Sequence, residues 1–160
     1  MALTIAIDEL VAFLIEAKLH TYASLEDEGR VPAILPGSHQ LEFRQGDLTY
    51  RDIYYGAAFF AGQEVVYEQE EPRWTMVYSG GLLPGLGDLV TEQEVYAFLG
   101  AALRRASPQR PFRGPSAWQD CAWLYKDESQ GDVLRFWGKE SISFQGRLVY
   151  ELRYQGGMLH

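Results

Sequence analysis

Cysteine is almost missing from this chain: Cys121 is the one example among 160 residues. A lone cysteine cannot close an internal disulfide, so the chain fits a reducing cytoplasm. Asp120 and Ala122 on either side offer no cation to lower the thiol pKa, and Cys121 reads as a buried, inert residue. Histidine is scarce as well. His20, His39 and His160 have no second His or Cys at ligand spacing, so neither a metal nor a cofactor is expected. Ser38-His39 is no nucleophile and base, because adjacent side chains in an extended chain point apart, and there is no G-x-S-x-G elbow.

Positive charge is in deficit. Fourteen Lys and Arg against 22 Asp and Glu leave a net charge of −8. A polyanion normally needs a basic face, so direct nucleic-acid binding is not expected. The nearest basic cluster is Arg104-Arg105 with Arg110 and Arg113; it follows a helix, whose C-terminal dipole is reason enough for it. Apolar runs are short. Val11–Ile15 falls far below the roughly 20 residues of a membrane span, and Met1-Ala2-Leu3-Thr4 does not open a secretory signal.

Aromatic residues, by contrast, are plentiful. The composition is 47% hydrophobic and 14% aromatic, enough to fill the core of a single domain over residues 1–160. One helix is expected from Asp8, as N-cap, to about Leu19, with Leu10, Phe13, Leu14 and Ala17 on one face. Thr91-Glu92-Gln93-Glu94 is a capping box, with Val90 and Val95 placed as a hydrophobic staple. The helix it opens carries Val95, Phe98, Leu99, Ala102 and Leu103 as its apolar stripe and is ended by Pro108. The remainder reads as strand and turn: His39–Arg44, Leu48–Tyr55, Gln63–Tyr67, Arg73–Tyr78, Ala122–Lys126, Val133–Phe136, Ser141–Phe144 and Leu148–Tyr154. Leu25–Gly37 and Ser107–Ser116 read as loops.

The chain also repeats itself. At an offset of 76, Phe60, Gly62, Glu64, Gln69, Tyr78, Gly80, Gly81 and Leu83 meet Phe136, Gly138, Glu140, Gln145, Tyr154, Gly156, Gly157 and Leu159. Average residue usage would give roughly one or two such identities. Upstream, Tyr50-Arg51-Asp52 resembles Tyr125-Lys126-Asp127. The expected fold is therefore α+β: two pseudo-repeats, about 8–83 and 91–159, each a helix plus about three antiparallel strands. Together they would form one twisted antiparallel sheet with two helices packed on it.

The repeated residues are the candidates for function. Gly62 and Gly138 suggest a bulge or a close backbone approach; Gly80-Gly81 and Gly156-Gly157 follow strands, where positive φ is expected. Glu64 and Glu140 are charges in apolar strands. With a hairpin turn at 70–71, Glu64 shares a partly polar, solvated face with Thr75 and Val77. A register one residue away puts it among the aromatics, where it needs a cationic partner. Trp74, Tyr78, Tyr150, Tyr154, Trp123 and Trp137 read most simply as core, and as the walls of an aromatic pocket otherwise.

Tyr54-Tyr55-Gly56, Phe60-x-Gly62-x-Glu64, Trp74-x-Met76-x-Tyr78-x-Gly80, Glu16-Ala17-Lys18 with Thr21-Tyr22-Ala23, and the ending Val149–Gly157 carry a resemblance. Over nearly its whole length the chain resembles a bacterial domain family of unknown function. That family's domain stands alone or follows a helix-turn-helix of transcriptional regulators, and the resemblance here is to the stand-alone form. It implies no activity.

The reading that follows is a non-catalytic domain with a pocket between the repeats. It would take an amphipathic or cationic small molecule, with Glu64, Glu140, Trp74, Tyr78, Tyr150 and Tyr154 as ligand-binding residues. An enzyme using Glu64 and Glu140 as acid and base is the alternative. A protein-interaction or homodimer module, supported by aromatic content, is the third.

Overall fold

A computed structural model describes residues 5–24 and 28–160. Met1–Thr4, expected to lack a signal, and residues 25–27 of the expected first loop lie outside the described residues. The elements run α1 (Ile7–Leu19), β1 (Arg30–Val31), β2 (His39–Gln45), β3 (Leu48–Gly56), β4 (Phe59–Glu68), β5 (Glu71–Leu82) and α2 (Glu92–Leu103). Then come β6 (Ala117–Asp120), β7 (Trp123–Asp132), β8 (Arg135–Phe144) and β9 (Arg147–Met158). The fold is α+β: one antiparallel sheet in the order β1-β2-β3-β4-β5-β9-β8-β7-β6, with two helices.

Among the described residues nine strands stand where about three per repeat, in eight segments, were expected. The two-residue β1 lies inside the expected first loop, and β6 was not foreseen. Val133–Phe136 and Ser141–Phe144 are not separate strands: the chain turns at Val133-Leu134 and runs as one strand, β8, through Gly138. The glycine reads as a break in sequence, but the neighbouring ladders hold it in place.

Both helices bury the stripes that their spacing marks. Leu10, Phe13, Leu14 and Ala17 of α1 are buried, as are Val95, Phe98, Leu99, Ala102 and Leu103 of α2. The capping box is present: Thr91 N donates to Glu94 Oε2 at 2.7 Å, and Glu94 N donates to Thr91 Oγ1 at 3.2 Å. Two helix ends differ from expectation. α1 starts after Ala6 with no side-chain cap, so Asp8 lies in the first turn rather than at the N-cap. α2 stops at Leu103, well before Pro108.

Sheet alternation gives one face to the helices. Phe60, Glu64 and Val66 of β4, Trp74, Met76 and Tyr78 of β5, and Tyr150, Leu152 and Tyr154 of β9 point into it. Trp137 does not. It follows Phe136 in β8, so it points to the open face and is 53% exposed, against its expected place in the core. Cys121 is also a correction: it is exposed, at φ 52°, at the tip of the β6–β7 hairpin.

The seam between β5 and β9 orders the sheet. Tyr78 lies opposite Tyr154, and the register runs symmetrically outward: Met76 faces Gly156, and Gly80 faces Leu152. Residues 76 apart thus occupy equivalent places. Gly80 and Gly156 sit inside these strands rather than after them. A Cβ at Gly80 would come 2.4 Å from Leu152 Cα, and one at Gly156 would come 2.8 Å from Met76 Cα. Register shifts also match, after Val66 in β4 and after Ile142 in β8.

Candidate functional site

The site begins with a register. The β4–β5 turn is Gln69-Glu70, with φ of 50° and 74°, rather than residues 70–71, and Glu64 lies opposite Met76. Two positive φ values are the hairpin geometry usually served by Asn-Gly, which is why Gln-Glu hid it. That turn alone would set Glu64 opposite Thr75 (139 − 64), still on the solvated face. The register shift between Val66 and Tyr67 adds one residue on β5, sets Glu64 opposite Met76 and so moves it to the buried face. Glu64 and Glu140 are both fully buried.

Each glutamate then needs a cation, and the two find theirs differently. Lys18, on the inner face of α1, donates to Glu64 Oε2 at 2.9 Å and to the Phe112 carbonyl at 2.7 Å. Burial lowers the Lys18 pKa, and Glu64 works against that shift. Arg113 comes from the loop after α2. It donates to Glu140 from Nε at 3.1 Å and from Nη2 at 2.5 Å. Burial disfavours its charge, but Glu140, Tyr150 and Tyr22 together outweigh this and raise its pKa. Arg113 and Arg110 are therefore not dipole partners of the helix: Arg110 pairs with Asp127 at 3.2 Å.

Around Glu140 the remaining donors are tyrosines. Tyr125 and Tyr150 each donate to it at 2.7 Å, and Gly114 N donates to the Tyr125 hydroxyl at 3.1 Å. Around Glu64 the corresponding places are Tyr50 and Trp74. The Tyr50 hydroxyl, Glu64 Oε1 and the nearby Tyr22 hydroxyl are buried without a hydrogen-bond partner among the described residues. Trp74 turns its indole N–H to the Val133 carbonyl at 3.1 Å.

Two aspartates complete the network. Tyr78 donates to Asp52 Oδ1 at 2.6 Å, and Tyr154 donates to Asp127 Oδ1 at 2.8 Å. Both hydroxyls need glycine beneath them: a Cβ at Gly62 would lie 2.4 Å from the Tyr78 oxygen, and one at Gly138 would lie 2.3 Å from that of Tyr154. Burial, reinforced by the charge of Glu64, pushes the Asp52 carboxyl up to about 7. Burial, then Glu140, pushes Asp127 up to about 6.

A cavity of about 540 Å³ opens beside this network. Asp52, Tyr78 and Arg113 line it together with Tyr22 from the turn after α1. Tyr54, Phe60 and Tyr96 supply aromatic wall, and Leu99, Gly100 and Leu103 of α2 supply the rest of the apolar side. Arg30, His39 and Glu92 are exposed lining residues at its mouth. Tyr96 is seated by a short bond from its hydroxyl to the Ala57 carbonyl.

Of the six expected site residues, Tyr78 alone lines this cavity. Tyr150 meets Glu140, Tyr154 faces Tyr78 across the seam, and Trp74 stacks on Phe136 at 5.7 Å. Glu64 and Glu140 are not paired. The row through Glu140 runs Leu152, Gly80, Phe60, three strands across and four residues from Glu64 (64 − 60). At ~4.8 Å per strand and ~3.3 Å per residue their Cα atoms are about 19 Å apart. Each carboxylate is instead held by its own cation, Glu64 by Lys18 and Glu140 by Arg113.

Sequence reasoning passed over Lys18, Tyr22, Tyr50, Asp52, Arg113 and Asp127. One signal was available. Tyr50-x-Asp52 recurs as Tyr125-x-Asp127, and a tyrosine and an aspartate two apart on a strand share a face. Lys18 and Arg113 carry no such signal, because they reach their glutamates from 46 and 27 residues away.

Among the described residues, no group of three or more His, Cys, Asp or Glu could hold a metal ion, and no helix is long and apolar enough to cross a membrane. A family model described as a domain of unknown function (DUF5680) matches residues 52–159. No curated protein and no solved structure matches the chain.

Proposed function

The chain belongs to that family of unknown function, and we propose that it is a non-catalytic domain that binds a small amphipathic molecule in the cavity between the turn after α1, α2 and strands β2–β5. The observation that carries this reading is the cavity itself. About 540 Å³ of concave space, walled by aromatic and aliphatic side chains, converges on a few buried polar groups. That combination is the usual form of a small-molecule site. The unpartnered hydroxyl of Tyr22, a lining residue, adds to it, since orphaned buried polar atoms are rare in finished cores.

We read strands β2–β5 and β6–β9, with their preceding helices, as diverged copies of one unit forming a single domain. On this reading the cavity lies between the copies: its strands come from the first, and α2 and Arg113 come from the second. The two glutamates support the walls and do not act on a substrate.

Gly100 provides the test. It lines the cavity from inside α2, and a Cβ there meets only the Arg104 guanidinium, at 3.4 Å. Gly100→Leu should fill the cavity while raising helix propensity by up to ~0.8 kcal/mol. Thermal shifts with a metabolite panel should appear for the wild type and vanish in Gly100→Leu, whose own Tm is equal or higher. Shifts that survive the substitution would place binding elsewhere.

A further inference from the structure

We propose that the polar end of this cavity is a cation site, in which the protonated amine of an amphipathic ligand pairs with Asp52 against tyrosine rings. The inference rests on the binding reading above and narrows its ligand to amines.

The first observation is a mismatch of charge. Four carboxylates are buried among the described residues: Asp52, Glu64, Asp127 and Glu140. Lys18 pairs with Glu64, Arg110 with Asp127 and Arg113 with Glu140. Asp52 has the Tyr78 hydroxyl and, among the described residues, no cation at ion-pair distance. A buried carboxylate without a cation is costly, and a ligand that brings one relieves that cost. The nearby cations are committed elsewhere, Arg113 through two bonds to Glu140 and Lys18 between Glu64 and a carbonyl.

The second observation is the wall. Tyr22, Tyr54, Tyr78 and Tyr96 line the same space as Asp52. Ring faces attract ammonium groups. This protein already uses them so: Lys18 Nζ lies 5.4 Å from the Tyr22 ring centroid and the Arg113 guanidinium 5.8 Å from that of Tyr78. The unpartnered Tyr22 hydroxyl can accept a second ammonium hydrogen. At the mouth Glu92 favours and Arg30 opposes the approach of a cation, and the net charge of −8 tips the balance toward it.

Binding should also move a proton. The groups around Asp52 are Lys18 from α1, Tyr22, Glu64 from β4, Tyr78 from β5, Arg113 from the loop after α2 and His39 at the mouth. Burial and Glu64 hold the Asp52 carboxyl up to about 7. An ammonium beside it favours the ionised form, so the amine displaces that proton. Affinity should then rise with pH up to and through about 7, while the amine stays protonated to roughly pH 10.

The experiment is calorimetry of the full chain with phenethylamine, 2-phenylethanol and 3-phenylpropionate at pH 6 and pH 8. Wild type, Asp52→Asn, Asp127→Asn and Gly100→Leu are compared. The asparagine in the first variant keeps an acceptor for the Tyr78 hydroxyl, so that variant should fold, and its Tm checks this. The amine should bind at least about tenfold tighter than the alcohol, and tighter at pH 8 than at pH 6. Asp52→Asn should remove both differences, and Asp127→Asn neither. An alcohol or carboxylate that binds as well as the amine, or amine binding unchanged in Asp52→Asn, overturns the cation site. So does the absence of amine binding at millimolar concentration. If any of the three probes binds and Gly100→Leu abolishes it, the cavity reading survives that failure; a bound probe indifferent to Gly100→Leu sinks both.

Discussion

Strands β2–β5 and β6–β9 carry the same buried glutamate, the same tyrosine–aspartate bond and the same glycine under the tyrosine hydroxyl, yet they finish the job differently. In the second set Glu140 receives four hydrogen bonds, from Arg113, Tyr125 and Tyr150, and Asp127 has Arg110. In the first set, among the described residues, Glu64 has Lys18 on one oxygen and nothing on the other, while Asp52 has a hydroxyl and no cation. The cause lies in two residues. Tyr150 has Trp74 as its counterpart, which has no oxygen to offer and turns its N–H to a carbonyl. Arg113, with its planar fork, has as its functional counterpart Lys18, a point charge that serves one carboxylate oxygen. The lesson is that one half is closed as a structural support and the other retains polar atoms beside a cavity.

Removing the cations should break this comparison with the largest effect. Lys18→Met leaves Glu64 buried with no partner and should cost ~3–5 kcal/mol in urea denaturation. Arg113→Met leaves Glu140 with two tyrosine donors and should cost about 1–2 kcal/mol less. Equal losses, or the reverse order, would show that the tyrosines do not substitute for the cation.

The aspartates come next, through pH. Asp52, held up to about 7, binds its proton more tightly in the folded chain than in the unfolded one. Such a group stabilises below the unfolded value near 4, and that stability is lost as pH rises through about 7. Asp52→Asn should therefore be more stable than wild type at pH 8 by roughly 2–4 kcal/mol and nearly equal to it at pH 4. Asp127 is held up only to about 6, and Asp127→Asn also takes the partner from Arg110. Its gain at pH 8 should be smaller or absent. Melting temperatures across pH 4–8 would decide, and a gain for Asp127→Asn as large as for Asp52→Asn would erase the distinction.

The phenols give the smallest and most discriminating difference. Tyr125→Phe takes a donor from Glu140 and an acceptor from Gly114 N, and should cost ~1.5–3 kcal/mol. Tyr50→Phe removes a hydroxyl that has no partner among the described residues, and should be neutral or stabilising by up to about 1 kcal/mol. A substantial loss in Tyr50→Phe would mean that its hydroxyl is bonded in solution.

Much of the fold was legible along the chain. Thr91 and Glu94 marked a helix start because a capping box is satisfied within four residues. The α1 start was misread because Ala6 leaves the first amides uncapped, and Asp8 is acidic without being a cap. The glutamates, Trp74, Tyr78, Tyr150 and Tyr154 were singled out as ligand-binding residues; the structure places all six on the inner face, Glu64 against the register expected for it, and only Tyr78 at the cavity. Their surroundings were not legible: Trp137 looked like core until its register gave it the open face, and Arg113 looked like a helix-end cation until it reached Glu140.

The sequence by itself determined the two amphipathic helices, the strand alternation and the matching of Phe60-x-Gly62-x-Glu64 with Phe136-x-Gly138-x-Glu140. These depend on spacings of two to four residues, which a chain displays without folding. Tertiary structure alone decided that Glu64 faces inward, that Lys18 and Arg113 are its and Glu140's cations, and that Asp52 is left without one. A strand's side chains change face with a one-residue shift, so the register shift between Val66 and Tyr67 outweighs everything local to Glu64. A buried charge, moreover, takes whatever partner the packing brings within about 3 Å, however far away it lies along the chain.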